Sequence, residues 1–174
     1  MESAASLTAC RLESERLVLE PLRPEHADEL APVLEDRSLH RFTGGEPPTV
    51  EDLRARFERQ SLGRSPDGRE CWLNWLVRER STGRAVGTVQ ATVKGVEPKQ
   101  VAELAWVIGT PHQGHGFAKE AAALMATWLR TSGVARLRAH IHPRHGASMA
   151  VARSVGLAPT GVIQDGEIRL ESSA

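Results

Sequence analysis

The chain has 174 residues, 40% hydrophobic and 25% charged, the make-up of one globular domain with a single substantial core. Its 22 basic and 22 acidic side chains balance, so no bulk basic field points to nucleic acid or to a membrane surface. No apolar run approaches bilayer length, the N-terminus has no signal-peptide core, and Cys10 and Cys71 form neither a C-x-x-C motif nor a disulfide framework, so a cytoplasmic location is expected.

In chain order, residues 1–14 read as a loose N-terminal arm. "RLVLEPL" (16–22) alternates Leu17, Leu19 and Leu22 against polar positions and predicts a strand. Pro24 then opens a helix, "PEHADELAPVLED", with acidic residues early and Ala27, Leu30 and Leu34 at helical spacing. After the loop "TGGEPP", Thr49 caps a second helix, with Asp52 at the capping-box position. "CWLNWLVRER" and "RAVGTVQATVKG" read as two strands joined by "STG", and "VAELAWVIG" (101–109) as a third, mostly apolar and so central and buried. A glycine loop leads to the helix "AKEAAALMATWLRTSG", closed by Gly133. "RLRAHIH" (136–142) predicts a strand, "GASMAVARSVG" a short helix, and "TGVIQDGEIRLES" a hairpin turning at Asp165-Gly166. The order β-α-α-β-β-β-α-β-α-β-β suits a mixed α/β sheet with helices on both faces.

The loop "TPHQGHGFAKEAA" (110–122) sits between a strand and a helix start, which makes an anion site. N–H groups at a helix N-terminus point outward, the dipole favours negative charge, and glycines let a ligand approach the backbone. It is neither a Walker A motif nor G-x-G-x-x-G, because Lys119 stands in the third glycine's place. Glycines that simply make a turn are the alternative.

Gln113-x-x-Gly116-x-Ala118 after a strand, opening a helix that carries Glu120 and Ala121, resembles the acetyl-CoA loop of the GCN5-related N-acetyltransferases, the GNAT family. "RLVLEPLRPEHADEL" is similar to that family's first strand and helix, and "RLRAHIHPRHGASMAVARSVGL" to its fifth strand and fourth helix. The three blocks in this order are most similar to the branch of ribosomal-protein N-terminal acetyltransferases, the RimJ/RimL-like branch. The resemblance implies a twisted mixed sheet of seven strands, splayed at its centre and flanked by about four helices, in one domain over 1–174. It implies acetyl-CoA as cosubstrate, an amine acceptor and no metal, with a homodimer as a common assembly.

The same resemblance assigns residues. Trp106, Val107 and Ile108 would offer backbone groups to the pantetheine arm, with an N–H near Val107 polarising the thioester carbonyl. Gln113, Gly114, His115, Gly116, Phe117, Ala118 and Lys119 would surround the pyrophosphate. Glu103 matches the glutamate on this strand, and burial would raise its pKa toward that of a useful base. It is a base or amine-positioning residue, or else a solvated strand glutamate. Many members protonate the leaving thiolate with a tyrosine, and this chain has none. Ser148 is then the candidate acid or thiolate-stabilising donor, against the alternative of a first-turn serine that satisfies the backbone. His145 stands where the family often has Asn before this helix, and would contact the pantetheine arm or the sulfur.

Other side chains are less specific. His140 and His142 share a strand face, but Arg136, Arg138 and Arg144 crowd the stretch with positive charge, which disfavours a metal site. The segment 36–62 corresponds to the family's variable acceptor side, where Phe42 and Glu46 would touch the acceptor or serve only the loop. Trp72 and Trp75 lie on opposite strand faces, so at most one of them, with Trp75 the candidate, lines the acceptor cleft. An N-acyltransferase is the leading reading. A CoA-binding regulatory module without turnover is the alternative, and a metal-binding protein built on the histidine stretch the third.

Overall fold

In the computed structural model, which describes residues 6–173, side-chain alternation along the strands divides one sheet into two faces, each covered in part by apolar side chains. The chain runs β1 (Leu12–Glu13), β2 (Leu17–Pro21), α1 (Ala27–Leu34), α2 (Val50–Gln60), β3 (Glu70–Glu79), β4 (Ala85–Lys94), β5 (Val101–Ile108), α3 (Phe117–Thr131), β6 (Arg136–Ile141), α4 (Gly146–Ser154), β7 (Leu157–Gln164) and β8 (Glu167–Ser172). Neighbouring strands follow the order β1-β2-β3-β4-β5-β6-β8-β7. This is the expected mixed sheet with four helices, and it has eight strands rather than seven.

The additional strand is β1, inside the arm expected to be loose. Leu12 pairs with Leu19, Leu7 and Ala9 pack on the core, and the Trp75 indole N–H donates to the Cys10 carbonyl at 2.7 Å. A strand of two residues has no periodicity to read, so tertiary docking orders this segment. Residues 1–5 of the arm lie outside the described residues.

Local signals set the helix boundaries. Thr49 accepts from the Asp52 N–H and Asp52 accepts from the Thr49 N–H, each at 3.1 Å, the capping box read from the sequence. The first helix departs from expectation at its start: Pro24–His26 form a 3-10 turn, and α1 begins only at Ala27.

Two apolar layers hold the sheet. On one face Trp75, Val89, Leu104, Leu137 and Leu170 are buried with Met125 and Leu129 of α3 and Val151 of α4. Each such large apolar side chain contributes about 1.5–3 kcal/mol on burial. On the other face a smaller cluster joins Leu30, Leu34, Leu53 and Phe57 of α1 and α2 to Leu76 of β3. Toward β5 that second face is open: Ala105 is exposed and Val107 keeps 36% of its surface. Strand β5 is therefore central, as expected, but buried on one face only.

The pairing of β5 creates the main irregularity. It pairs antiparallel with β4 from Val101 to Ile108, but pairs parallel with β6 only from Val101 to Glu103. Beyond Glu103 the two strands part, giving the expected splay at the centre of the sheet.

Candidate active site

Strand parity decides which backbone groups face the gap between β5 and β6. The Gly109 N–H donates to the Val86 carbonyl at 2.8 Å. Alternate residues of an antiparallel ladder face opposite sides. Val107 and Ala105 therefore turn their N–H and C=O toward Thr88 and Gln90 of β4, and Trp106 and Ile108 turn theirs into the gap. The close approach on the β4 side leaves no room for a side chain at position 87, where a Cβ on Gly87 would stand 2.0 Å from the Val107 carbonyl oxygen. This corrects the expectation for Val107, whose N–H is committed to the ladder. Gln113 Nε2 donates to the Ile108 carbonyl at 2.9 Å, tying the next loop to the end of β5.

That loop opens α3. Gln113, Gly114, His115 and Gly116 are exposed, and no side chain caps the helix. The N–H groups of its first turn, from Phe117, Ala118 and Lys119, precede the first intrahelical bond, from the Glu120 N–H to the Gly116 carbonyl at 3.1 Å. Gly114 and Gly116 both have φ +79, a left-handed conformation that turns successive amides outward and suits glycine. Phe117 is buried, His115 stacks on it at 5.6 Å, and Lys119 is exposed. An uncapped helix N-terminus with accessible glycine amides fits a pyrophosphate.

Arg16 was not read as a site residue, yet it organises this loop. Its Nη1 donates to the His115 carbonyl at 2.7 Å, its Nε to Glu120 at 2.7 Å, and its guanidinium lies 4.9 Å from the centre of the Phe117 ring. Its place in "ERLVLEPL", at the start of a strand far from the loop in sequence, gave no sign of this.

Glu103 is on the open face of β5, at the point where β5 and β6 part. The expected apolar burial is not found: 26% of its side chain is exposed and both oxygens are engaged. Arg138 Nη1 donates to one oxygen at 3.1 Å, and His140 Nδ1 lies 3.1 Å from the other. Arg169 Nε donates to His140 Nε2 at 3.2 Å, so that nitrogen is an acceptor and the ring proton resides on Nδ1, facing Glu103. Arg138 also donates to Glu171 at 2.8 Å, which continues the network onto β8. Reading "RLRAHIH" as a basic face missed this role for Arg138 and His140.

The far lip of the gap is the start of α4, directly after β6. His145 is its N-cap, and Nδ1 accepts from the Ser148 N–H at 3.4 Å while Nε2 lies 3.0 Å from the Ser148 hydroxyl. Phe42 stacks on His145 at 4.6 Å, so the segment 36–62 meets α4 directly. The same segment reaches the other lip through Asp36, which the Thr110 side chain and then the Ser38 N–H hold below the usual carboxylate range by hydrogen bonding.

Two expected acceptor residues are not brought to this site. Trp75 has no exposed surface and packs edge-on against Trp128 at 5.7 Å, which makes it core and corrects the expectation that it lines a cleft. Glu46 is 79% exposed and pairs with Arg37 at 3.4 Å. Among the described residues no group of three or more His, Cys, Asp or Glu is placed to hold a metal ion, and no helix is long and apolar enough to cross a membrane.

Residues 16–158 match the family model described as acetyltransferase (GNAT) domain. The chain is 28% identical over 127 residues to an N-acetyltransferase 9-like protein of Caenorhabditis briggsae; the match covers 68% of this chain and spans 61% of that relative's length. The fold is shared with the self-immunity acetyltransferase MccE, solved with acetyl-CoA and AMP (TM-score 0.74, 15% identity, 92% of this chain and 94% of that one). It is also shared with the ribosomal-protein-S5-alanine acetyltransferase of Vibrio fischeri (TM-score 0.73, 16% identity, 94% and 96% covered). A glycine-rich loop opening an uncapped helix, a strand parted from its neighbour and a family match over most of the length converge on one conclusion: the chain belongs to the GNAT acetyltransferases.

Proposed function

We propose that the chain transfers an acetyl group from acetyl-CoA to a primary amine, a protein N-terminus or a small-molecule amine, by direct attack in a ternary complex. One observation supports this reading: Glu103, the stretch of β5 parted from β6 and the uncapped α3 loop follow one another along a single strand and the loop after it. The ribosomal-protein N-terminal acetyltransferases are the branch whose sequence blocks it resembles.

The first-turn amides of α3 and the glycine amides of the loop hold the pyrophosphate, and the N–H groups of Trp106 and Ile108 receive the pantetheine arm. Acetyl-CoA, when bound, supplies an activated acyl thioester. The chain's residues prepare the amine. An α-amine with a pKa of about 8, or a lysine amine of about 10.4, is mostly protonated at neutral pH. Glu103 accepts that proton, directly or through water, and the donors Arg138 and His140 fix its orientation. Ser148, in the first turn of α4, serves the departing sulfur in a chain without tyrosine.

Purified protein, acetyl-CoA and a panel of amines test the reading, with thiol release and product mass as readouts. Amine-dependent CoA release supports it. Acetyl-CoA binding without turnover on any amine favours the regulatory module, and absence of acetyl-CoA binding refutes both.

A further inference from the structure

Strand register sets Glu103 opposite Thr92 of β4, and Thr92 opposite Trp72 of β3. One step along, Ala105 lies opposite Gln90, and Gln90 opposite Asn74. Trp75 faces the other way into the core, so Trp72 and Asn74 project toward α2. The Trp72 indole N–H donates to Glu70 at 3.0 Å, which holds the ring in place. Between these side chains, the end of α2 and the segment 7–9 lies a cavity of about 180 Å³, walled by Leu7, Leu22, Leu62 and Trp72. A smaller cavity, of about 50 Å³, reaches Thr88 and Gln90. The two share Leu22, Gln60 and Asn74, and beyond Gln90 the face is open at Ala105.

Asn74 is only 8% exposed, and its carboxamide makes no hydrogen bond among the described residues. A buried amide without a partner is costly, so a chain that keeps one points to a partner from outside. Gln60 and Gln90 add two more carboxamides to the same lining. No acid lines either cavity, whereas Arg56 and Arg64 do. Such a lining suits peptide N–H and C=O groups and repels additional ammonium groups. Two strand spacings of about 4.8 Å put Trp72 about 10 Å from Glu103, the reach of three extended residues at about 3.3 Å each. We propose, resting on the acyl-transfer reading above, that the acceptor is a peptide N-terminus running from Glu103 beneath the end of α2, with its backbone amides on Asn74 and Gln90 and an apolar third side chain in the cavity against Trp72. A cavity of about 150 Å³ holds benzene, so this one takes a Phe or Leu side chain. Polyamines and amino sugars, with several ammonium groups, fit poorly. Asn74 and Trp72 set specificity, and the proton transfer stays with Glu103.

Calorimetry with N-acetylated pentapeptide amides, products of the proposed reaction, tests the cavity without turnover. The probes are acetyl-Ser-Ala-Phe-Ala-Ala-amide and the same peptide with Gly or Lys in third place. The Phe peptide is expected to bind about tenfold more tightly than either of the others. Asn74→Leu should lose about tenfold in affinity for it with no fall in melting temperature, because the carboxamide it removes bonds nothing in the free fold. A fall in melting temperature with affinity kept would make Asn74 purely structural and overturn the proposal. Leu62→Ser, at a rim position 74% exposed, keeps the fold and should narrow the Phe preference about threefold. The side-chain amide NMR signal of Asn74, assigned by its loss in Asn74→Leu, should move when the Phe peptide is added. Equal affinity for the three peptides, or wild-type affinity in Asn74→Leu, overturns the proposal. Acetyl transfer to spermine but not to the free-amine Phe peptide also overturns it and leaves the acyl-transfer reading intact. Binding of the Phe peptide by a protein that acetylates no amine sinks that reading, while the cavity stands as a peptide site.

Discussion

Arg16 grips Glu120 with two nitrogens, Nε at 2.7 Å and Nη2 at 2.6 Å, and so fastens the start of β2 to the first turn of α3. Burial pushes the Glu120 carboxyl up, but hydrogen bonds from Ser14 and Arg16 outweigh it and leave the pKa below the usual range. A carboxylate one turn beneath the proposed anion site opposes the ligand unless a cation compensates it. Arg16→Gln is expected to weaken CoA binding about tenfold by calorimetry and, because Arg16 is 45% exposed, to cost only about 1 kcal/mol of stability. Arg16→Gln/Glu120→Gln should regain most of the affinity. If it regains none, the packing of Arg16 on Phe117 matters more than its charge.

Glu103→Gln keeps the shape of the side chain but takes up no proton. Turnover is expected to fall about a hundredfold, with acetyl-CoA affinity within twofold of wild type. Steady-state rates at saturating amine, beside a binding isotherm, check this, and unchanged turnover removes Glu103 from the base role.

The α4 cap carries a pH dependence. The folded His145 pKa is below the unfolded value of about 6.5, so the unfolded chain binds more protons between the two. The cap's contribution is full above about pH 6.5 and is lost as pH falls through the folded value. His26 is depressed too, by burial and then by Arg23, so wild type alone mixes both histidines. The difference in denaturation free energy between wild type and His145→Asn, followed from pH 7.5 to 5, should shrink on acidification. A constant difference would show that His145 does not titrate in this window.

At Gly116, alanine meets two penalties: φ +79, and a Cβ 3.3 Å from Arg16 Nη2, the movable end of a flexible side chain. The left-handed conformation dominates, at about 1–2 kcal/mol. Gly116→Ala should lower the melting temperature by about 3 °C and weaken CoA binding. Full CoA affinity in this variant would mean that the loop amides are not the contact.

Elements were legible in the sequence where a local signal sufficed: the alternation of β2, the Thr49–Asp52 box and the hairpin at Asp165-Gly166 all lie within a few residues. Glu103 and the loop 113–116, the core of the proposed site, each stand out in the sequence against their own strand or helix. What stayed hidden depends on register. Glu103 meets Arg138 and His140 only once β5 and β6 run parallel in a fixed offset. Likewise, whether Val107 or Trp106 faces the gap rests on the single bond from Gly109 to Val86. Trp75 shows the same limit, since spacing places it opposite Trp72 but does not say which of the two faces is covered.

The segment from Asp36 to Phe42 touches both lips of the gap, through Thr110 on one side and His145 on the other. On the proposed acyl-transfer reading, swapping this stretch for that of a relative would therefore change more than the amine accepted. If the gap receives the acyl donor as proposed, the swap would also alter the spacing of that berth, so acceptor preference and acyl-donor affinity should drift together among descendants of this chain.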